Sequence, residues 1–304
     1  MATAQENSDI IRVMLWSVPR SVSTSFLKCM TNVPNSQTWY EPYWMAFWFS
    51  NYGKHRPGMV SRLQDAWKAK GDHGDTASFA SEISGGYFAG DKSYSWIKDQ
   101  LECIPPDNKN IVFCKDISAG LEGMHEYIPD SFRHSFLIRH PFKVFESWER
   151  VTNHGIEDEL KRMKISEQPD FILPSGLFFK EQYELYQHVK EHYEPNPVII
   201  DTDDLLADPG RLLKAYCQAV GIPYSDELLH WKPGRECLDQ QWMVAKELIL
   251  TQTLANPHAE TFASSCFGKS SKVPNQGELS DDVRHCSDVC MEYYEAMYAN
   301  RLQI

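Results

Sequence analysis

Ile11–Met30, IRVMLWSVPRSVSTSFLKCM, decides how this chain folds. Ile11, Val13, Met14, Leu15 and Trp16 form an apolar run of strand length. Ser17, Val18, Pro19, Arg20 and Ser21 make a basic, hydroxyl-rich turn, after which Val22, Phe26, Leu27 and Met30 recur at helical spacing. A strand that feeds a helix through such a turn aims backbone N–H groups at one point, where the helix dipole also favours negative charge. Arg20 adds a fixed cation, and Ser21, Ser23, Thr24 and Ser25 add hydroxyl donors, so the stretch reads as an anion cradle. It departs from the G-x-x-x-x-G-K-[ST] phosphate loop, having neither glycine nor a lysine before the hydroxyls. Val22 is β-branched and is expected in helical or extended backbone, because such residues tolerate positive φ poorly.

A second strand–helix junction lies at Ser135–Val151, SFLIRHPFKVFESWERV. Phe136, Leu137 and Ile138 end a buried strand, Arg139 stands at its carboxyl end, and Pro141 suits the first turn of a helix. Val144, Phe145, Trp148 and Val151 give that helix an apolar face, with Ser147 eight residues beyond Arg139. A third segment, Val198–Ile222, runs from a strand through Asp203, Asp204 and Leu205 to Asp208, Pro209 and a helix ending at Gly221. Asp208 is expected to cap that helix.

In this order the three segments resemble sulfotransferases that use 3′-phosphoadenosine 5′-phosphosulfate. Pro19, Arg20, Ser21, Ser23 and Thr24 resemble their 5′-phosphosulfate loop, and Val22 stands where many members have glycine. Arg139 and Ser147 resemble the pair that binds the donor's 3′-phosphate, and Val198–Ile222 resembles a strand–acidic turn–helix, with Thr202 in place of a tyrosine. The resemblance implies donor contacts from Arg20, Ser21, Val22, Ser23, Thr24, Ser25, Arg139 and Ser147, with 3′,5′-adenosine bisphosphate as the product and no metal. It implies charge neutralisation by Arg20. Glu41, in Thr38-Trp39-Tyr40-Glu41-Pro42, is similar to the Glu that carbohydrate-type members place near the donor sulfate, and is the leading candidate base. Desolvation among Trp39, Tyr40, Tyr43 and Trp44 would raise its pKa. Phe113–Ile117 resembles the Lys-Thr-His strand end of cytosolic members but has no His; Lys115 is kept as a charge carrier and Asp116 as a second possible base or substrate contact. His140 reads as a neighbour of the phosphate. Phe267–Lys272 offers Lys269 as a donor ligand, although it lacks the Arg-Lys-Gly of cytosolic members.

The aromatic run Trp39–Phe49, WYEPYWMAFWF, supplies Trp39, Tyr40, Tyr43 and Trp44 as acceptor-pocket candidates, for a lipophilic alcohol, a phenol or a sugar-bearing small molecule. A kinase with an unusual phosphate loop and a non-catalytic nucleotide-binding protein are the competing readings; the first leaves Arg139 and Ser147 unexplained.

The 304 residues, 42% hydrophobic, suit one α/β domain over 10–304. A mostly parallel central sheet flanked by helices is expected, a P-loop-like sulfotransferase fold with strands at 11–16, 110–114, 132–138 and 197–201. Residues 1–9 read as a disordered start, and 53–92 and 155–176 as variable lid segments. Net charge is −12, which argues against a nucleic-acid partner. No apolar run is long enough for a membrane span, no leader is visible, and eight scattered cysteines read as reduced thiols, so a cytoplasmic protein is expected.

Overall fold

The structure is a computed structural model and describes residues 10–55, 86, 87, 89, 92–155, 163–246, 248 and 258–304. Strand β1 (Ile11–Ser17) leads through the Val18–Val22 turn into helix α1 (Ser23–Thr31). Strand β2 (Ser36–Tyr40) leads into α2 (Pro42–His55); α3 (Tyr94–Glu102) precedes β3 (Ile111–Ile117). Then come β4 (Arg133–Ile138), α4 (Pro141–Gly155), α5 (Phe179–His192), β5 (Val198–Asp201), α6 (Thr202–Ala207) and α7 (Pro209–Val220). A two-residue strand β6 (Trp242–Met243), a short α8 (Ala259–Ala263) and α9 (Asp281–Tyr298) complete the described strands and α-helices.

The sheet runs β5-β4-β1-β3-β2-β6, and every paired neighbour is parallel. Central β1 is buried on both faces, as a parallel strand covered by helices must be; Val13, Met14, Leu15 and Trp16 have no exposed surface. Alternating side chains divide the core. Ser135 hydrogen-bonds the Tyr216 hydroxyl of α7 at 3.0 Å, while the next residue, Phe136, meets Tyr186 of α5 edge-on. Phe26 of α1 joins the α7 side by stacking on Phe113 and meeting Tyr216 edge-on.

The four expected strands are present within one to three residues of their expected ends. β2 and β6 are additions to that reading. Asp208 caps α7 by accepting from Arg211 N at 3.1 Å, and Gly221 ends it at φ +80°, a left-handed stop suited to glycine. All eight cysteines are free thiols, and Cys29, Cys114, Cys217, Cys237, Cys286 and Cys290 are buried. Residues 1–9, 56–85 and 156–162 lie outside the described residues, and with them the expected disordered start and much of both expected lid segments. From 163–176, Ile172 reaches the large cavity. Among the described residues no helix is long and apolar enough to cross a membrane.

The topology places the site. From β1 the chain moves to one side of the sheet, through β2 and β3; from β4 it moves to the other, to β5. The crevice beyond the carboxyl ends of β1 and β4 is therefore the switch point where ligands bind in open parallel sheets. The Val18–Val22 turn leaves β1 there, and Arg139 leaves β4 beside it.

Candidate active site

The cradle departs from expectation in its backbone. Val22 is left-handed, at φ +68° and ψ +8°, not helical or extended, and Arg20 stands at φ +63°. Left-handed residues alternating along a turn bring successive N–H groups into one concavity, an anion nest, which is what a β-branched residue is forced to serve here. The strain, of order 1–3 kcal/mol per residue, is held by surrounding bonds. Ser21 Oγ–H donates to Val18 O at 2.7 Å, Thr202 Oγ1–H to Ser21 O at 2.9 Å, and Arg139 Nη1–H to Arg20 O. As the N-cap of α1, Val22 has no side chain able to accept from the first-turn N–H groups, so the helix start remains a donor surface beside Ser23, Thr24 and Ser25.

Two guanidiniums converge across this turn. Arg20 Nε–H donates to Ser147 Oγ at 3.0 Å, which joins the first junction to the second. Burial lowers the pKa of Arg20, as does the nearby charge of Arg139; burial likewise lowers that of Arg139. Arg139 Nε is buried without a hydrogen-bond partner, an unspent donor at the place where an anion would sit. Lys143, 3% exposed, donates to Asp203 Oδ1 at 2.6 Å and to Ser271 O; Ser270 Oγ–H also reaches Asp203, at 2.9 Å. These bonds hold the loop carrying Lys269 and Lys272 against the cavity.

Parallel pairing of β2 and β3 sets Tyr40 opposite Lys115, and Glu41 N donates to Lys115 O at 2.7 Å. The next bond is between side chains: Lys115 Nζ and Glu41 Oε1 form a buried ion pair. Glu41 is left-handed as well, at φ +49°, immediately before the proline that starts α2, where extended backbone is the rule. Asp116 explains how that junction is held. Its carboxylate accepts from Tyr43 N at 2.7 Å, Trp44 N at 3.1 Å and Ile117 N at 2.8 Å, capping α2. Burial pushes Asp116 up to about 8 against the pull of those N–H donors.

A cavity of about 780 Å³ opens over these groups. Arg20, Val22, Ser23, Thr24, Ser25, Arg139, Ser147, Glu41, Lys115, Lys269, Tyr40 and Trp44 all line it. Ser21, Trp39, Tyr43 and Asp116 do not. Ser21 supports the turn from beneath, and Trp39 packs on Tyr87, both in the core. Tyr43 lies between Trp16 and Tyr94. The aromatic run is thus divided: Trp44, Met45 and Trp48 on one face of α2 reach the cavity and confront Trp148 and Val151 of α4. Phe178 joins the two walls, 5.5 Å from both Trp44 and Trp148.

Two residues without a sequence motif matter here. His258, at the start of α8, lines the cavity with Nε2 3.5 Å from the Tyr40 hydroxyl. Burial, then the charges of Arg20 and Lys115, lowers its imidazole to about 3. Lys28 in the last turn of α1, 2% exposed, reaches the carbonyls of Thr261 at 3.2 Å and Phe262 at 3.4 Å, holding the end of α8. Only tertiary contact gives either residue its place.

A family model described as a sulfotransferase domain matches residues 121–299, and the chain belongs to that family. Two curated relatives from Arabidopsis thaliana, branched-chain-amino-acid aminotransferase-like proteins 2 and 1, are 26% and 25% identical over 228 residues. That alignment covers 75% of this chain but only 33% of each relative, so the chain spans about a third of their length. Among solved structures, the sulfotransferase domain from the curacin biosynthetic pathway aligns over 92% of this chain and 96% of its own, at TM-score 0.42 and 13% identity. The sulfotransferase domain from the Synechococcus PCC 7002 olefin synthase aligns over 91% and 93%, at TM-score 0.42 and 12% identity.

Proposed function

We propose that this chain transfers a sulfuryl group from 3′-phosphoadenosine 5′-phosphosulfate to a hydroxyl or amine of a small-molecule acceptor. The observation that carries the reading is the Arg20–Ser147 bond at 3.0 Å beside Arg139, whose Nε has no partner. Two guanidiniums and a hydroxyl from adjacent strand ends, next to an anion nest, match a donor bearing phosphate at one end and phosphosulfate at the other. When bound, the donor supplies an activated sulfuryl group whose leaving oxygen belongs to a phosphate. Val22, Ser23, Thr24 and Ser25 hold the phosphosulfate through N–H and hydroxyl donors; Arg20 neutralises charge gathering on the leaving phosphate oxygen. Arg139 and Ser147 hold the 3′-phosphate. Lys115, fixed by Glu41, faces the transferred group, and Lys269 closes the donor side. Trp44, Met45, Trp48 and Trp148 form an apolar wall that receives a lipophilic alcohol, a phenol or a sugar ring and excludes water from the reacting oxygen.

Calorimetry with 3′,5′-adenosine bisphosphate in metal-free buffer tests this. Wild type is expected to bind, and Arg139→Ala to lose about 100-fold in affinity, as removing a charge-assisted phosphate contact does. Absence of binding by wild type, or binding of ATP only with Mg²⁺, would replace this reading with the kinase one.

A further inference from the structure

The cavity wall holds two groups able to take a proton from an acceptor, and they are differently placed. Glu41 is committed to Lys115 in a buried ion pair, and protonating it would leave that ammonium without its counter-charge. Among the described residues His258 forms no ion pair, and the Tyr40 hydroxyl lies 3.5 Å from its Nε2. The charges acting on it are Arg20 from the cradle and Lys115 from β3; Glu41, which acts on Tyr40, and Glu260 of its own helix line the same cavity. Lys28 fixes the far end of that helix.

Resting on the functional reading above, we propose that His258 is the proton acceptor of the transfer step and that donor binding switches it on. With no anion in the cradle, Arg20 and Lys115 oppose a third positive charge, and the imidazole stays neutral with its lone pair available. The phosphosulfate and 3′-phosphate bring several negative charges to the same cations. Their arrival reverses the sign of the local field, so an imidazolium becomes favourable there. In the step itself the acceptor oxygen forms the new S–O bond and gives its proton to His258. The S–O bond to the 5′-phosphate breaks with its electron pair kept by the phosphate oxygen. Sulfated product and 3′,5′-adenosine bisphosphate leave, and the imidazolium returns its proton to water. The order follows from charge: a base that becomes competent only over a loaded cradle does not deprotonate an acceptor in its absence.

The test needs no knowledge of the natural acceptor. NMR titration of the His258 ring is followed in the free protein and with 3′-phosphoadenosine 5′-phosphosulfate. The free ring is expected to resist protonation to about pH 3, and the donor to move its midpoint up by two units or more. His258→Gln is expected to retain donor affinity within threefold by calorimetry while slowing transfer of labelled sulfuryl to water at least 100-fold. Glu41→Gln is expected to slow it less than tenfold once corrected for donor occupancy. A midpoint unmoved by bound donor overturns the proposal. So does a His258→Gln variant that transfers at the wild-type rate, or one that loses donor affinity and transfer in parallel, as a merely structural residue would. In these cases donor binding by wild type leaves the functional reading standing; if wild type binds no donor, both fall.

Discussion

At the scale of single residues, the buried Lys115–Glu41 pair carries the sharpest consequence. Removing one partner strands the other charge away from water, whereas replacing both with apolar groups does not. Glu41→Gln is expected to lower stability by about 3 kcal/mol, and Glu41→Gln with Lys115→Met to recover most of it. Urea unfolding of the two variants beside wild type checks this, and equal losses in both would show that the pair is not acting as a unit. Arg20, Arg139 and Ser147 were legible in the sequence because each sits beside a strand–helix junction with its own pattern. His258 and Lys28 were not. A histidine after residues of no periodicity, and a lysine in an amphipathic helix, acquire their neighbours only when segments more than 200 residues apart are brought together. Asp116 was legible as a carboxylate at the right strand end, but its three backbone N–H partners depend on where α2 begins.

At the scale of elements, junctions hold the site and conventional caps hold the rest. Gly221 ends α7 at φ +80° with open space around its α-carbon, so Gly221→Ala meets no clash and pays only for left-handed backbone. A loss of about 1 kcal/mol is expected by chemical denaturation. At Val22 the same conformation is already carried by a β-branched residue, so Val22→Gly is expected to hold or raise stability and to leave 3′,5′-adenosine bisphosphate affinity within threefold. A large loss of binding would mean that the valine methyls, not the backbone, shape the cradle. Strands β1, β3, β4 and β5 were readable from their apolar runs. β2 was hidden because Ser36–Tyr40 begins polar and merges into the aromatic run of α2, and β6, at two residues, has no periodicity to read. The left-handed backbone at Val22 was hidden too, since propensity opposes it and only the bonds from Ser21, Thr202 and Arg139 impose it.

At the scale of the whole molecule, buried titratable groups make stability depend on pH. His134, 1% exposed, accepts from Trp16 Nε1 at 3.1 Å, and burial lowers it to about 4. Between pH 6.5 and 4 the unfolded chain binds a proton there that the folded chain refuses, so acidification costs up to about 3 kcal/mol. Asp201 and Glu181, raised to about 6 by burial, act in the opposite sense below that pH. The contribution of His134 is therefore read as a difference: Tm is expected to fall less between pH 7 and 5 in His134→Gln than in wild type. Equal slopes would remove His134 from the account.

The place of β1 at the middle of the sheet has a cost during synthesis. It leaves the ribosome well before its two neighbours, β3 and β4, which follow roughly a hundred residues later. At 5–20 residues per second, a strand with the apolar run Val13–Trp16 at its middle waits about 5 to 20 s with both edges bare. Until β3 and β4 arrive, any other extended chain nearby competes for those edges. The central strand that aims the cradle is thus also where the nascent protein is most open to aggregation, and where a chaperone has most to shield.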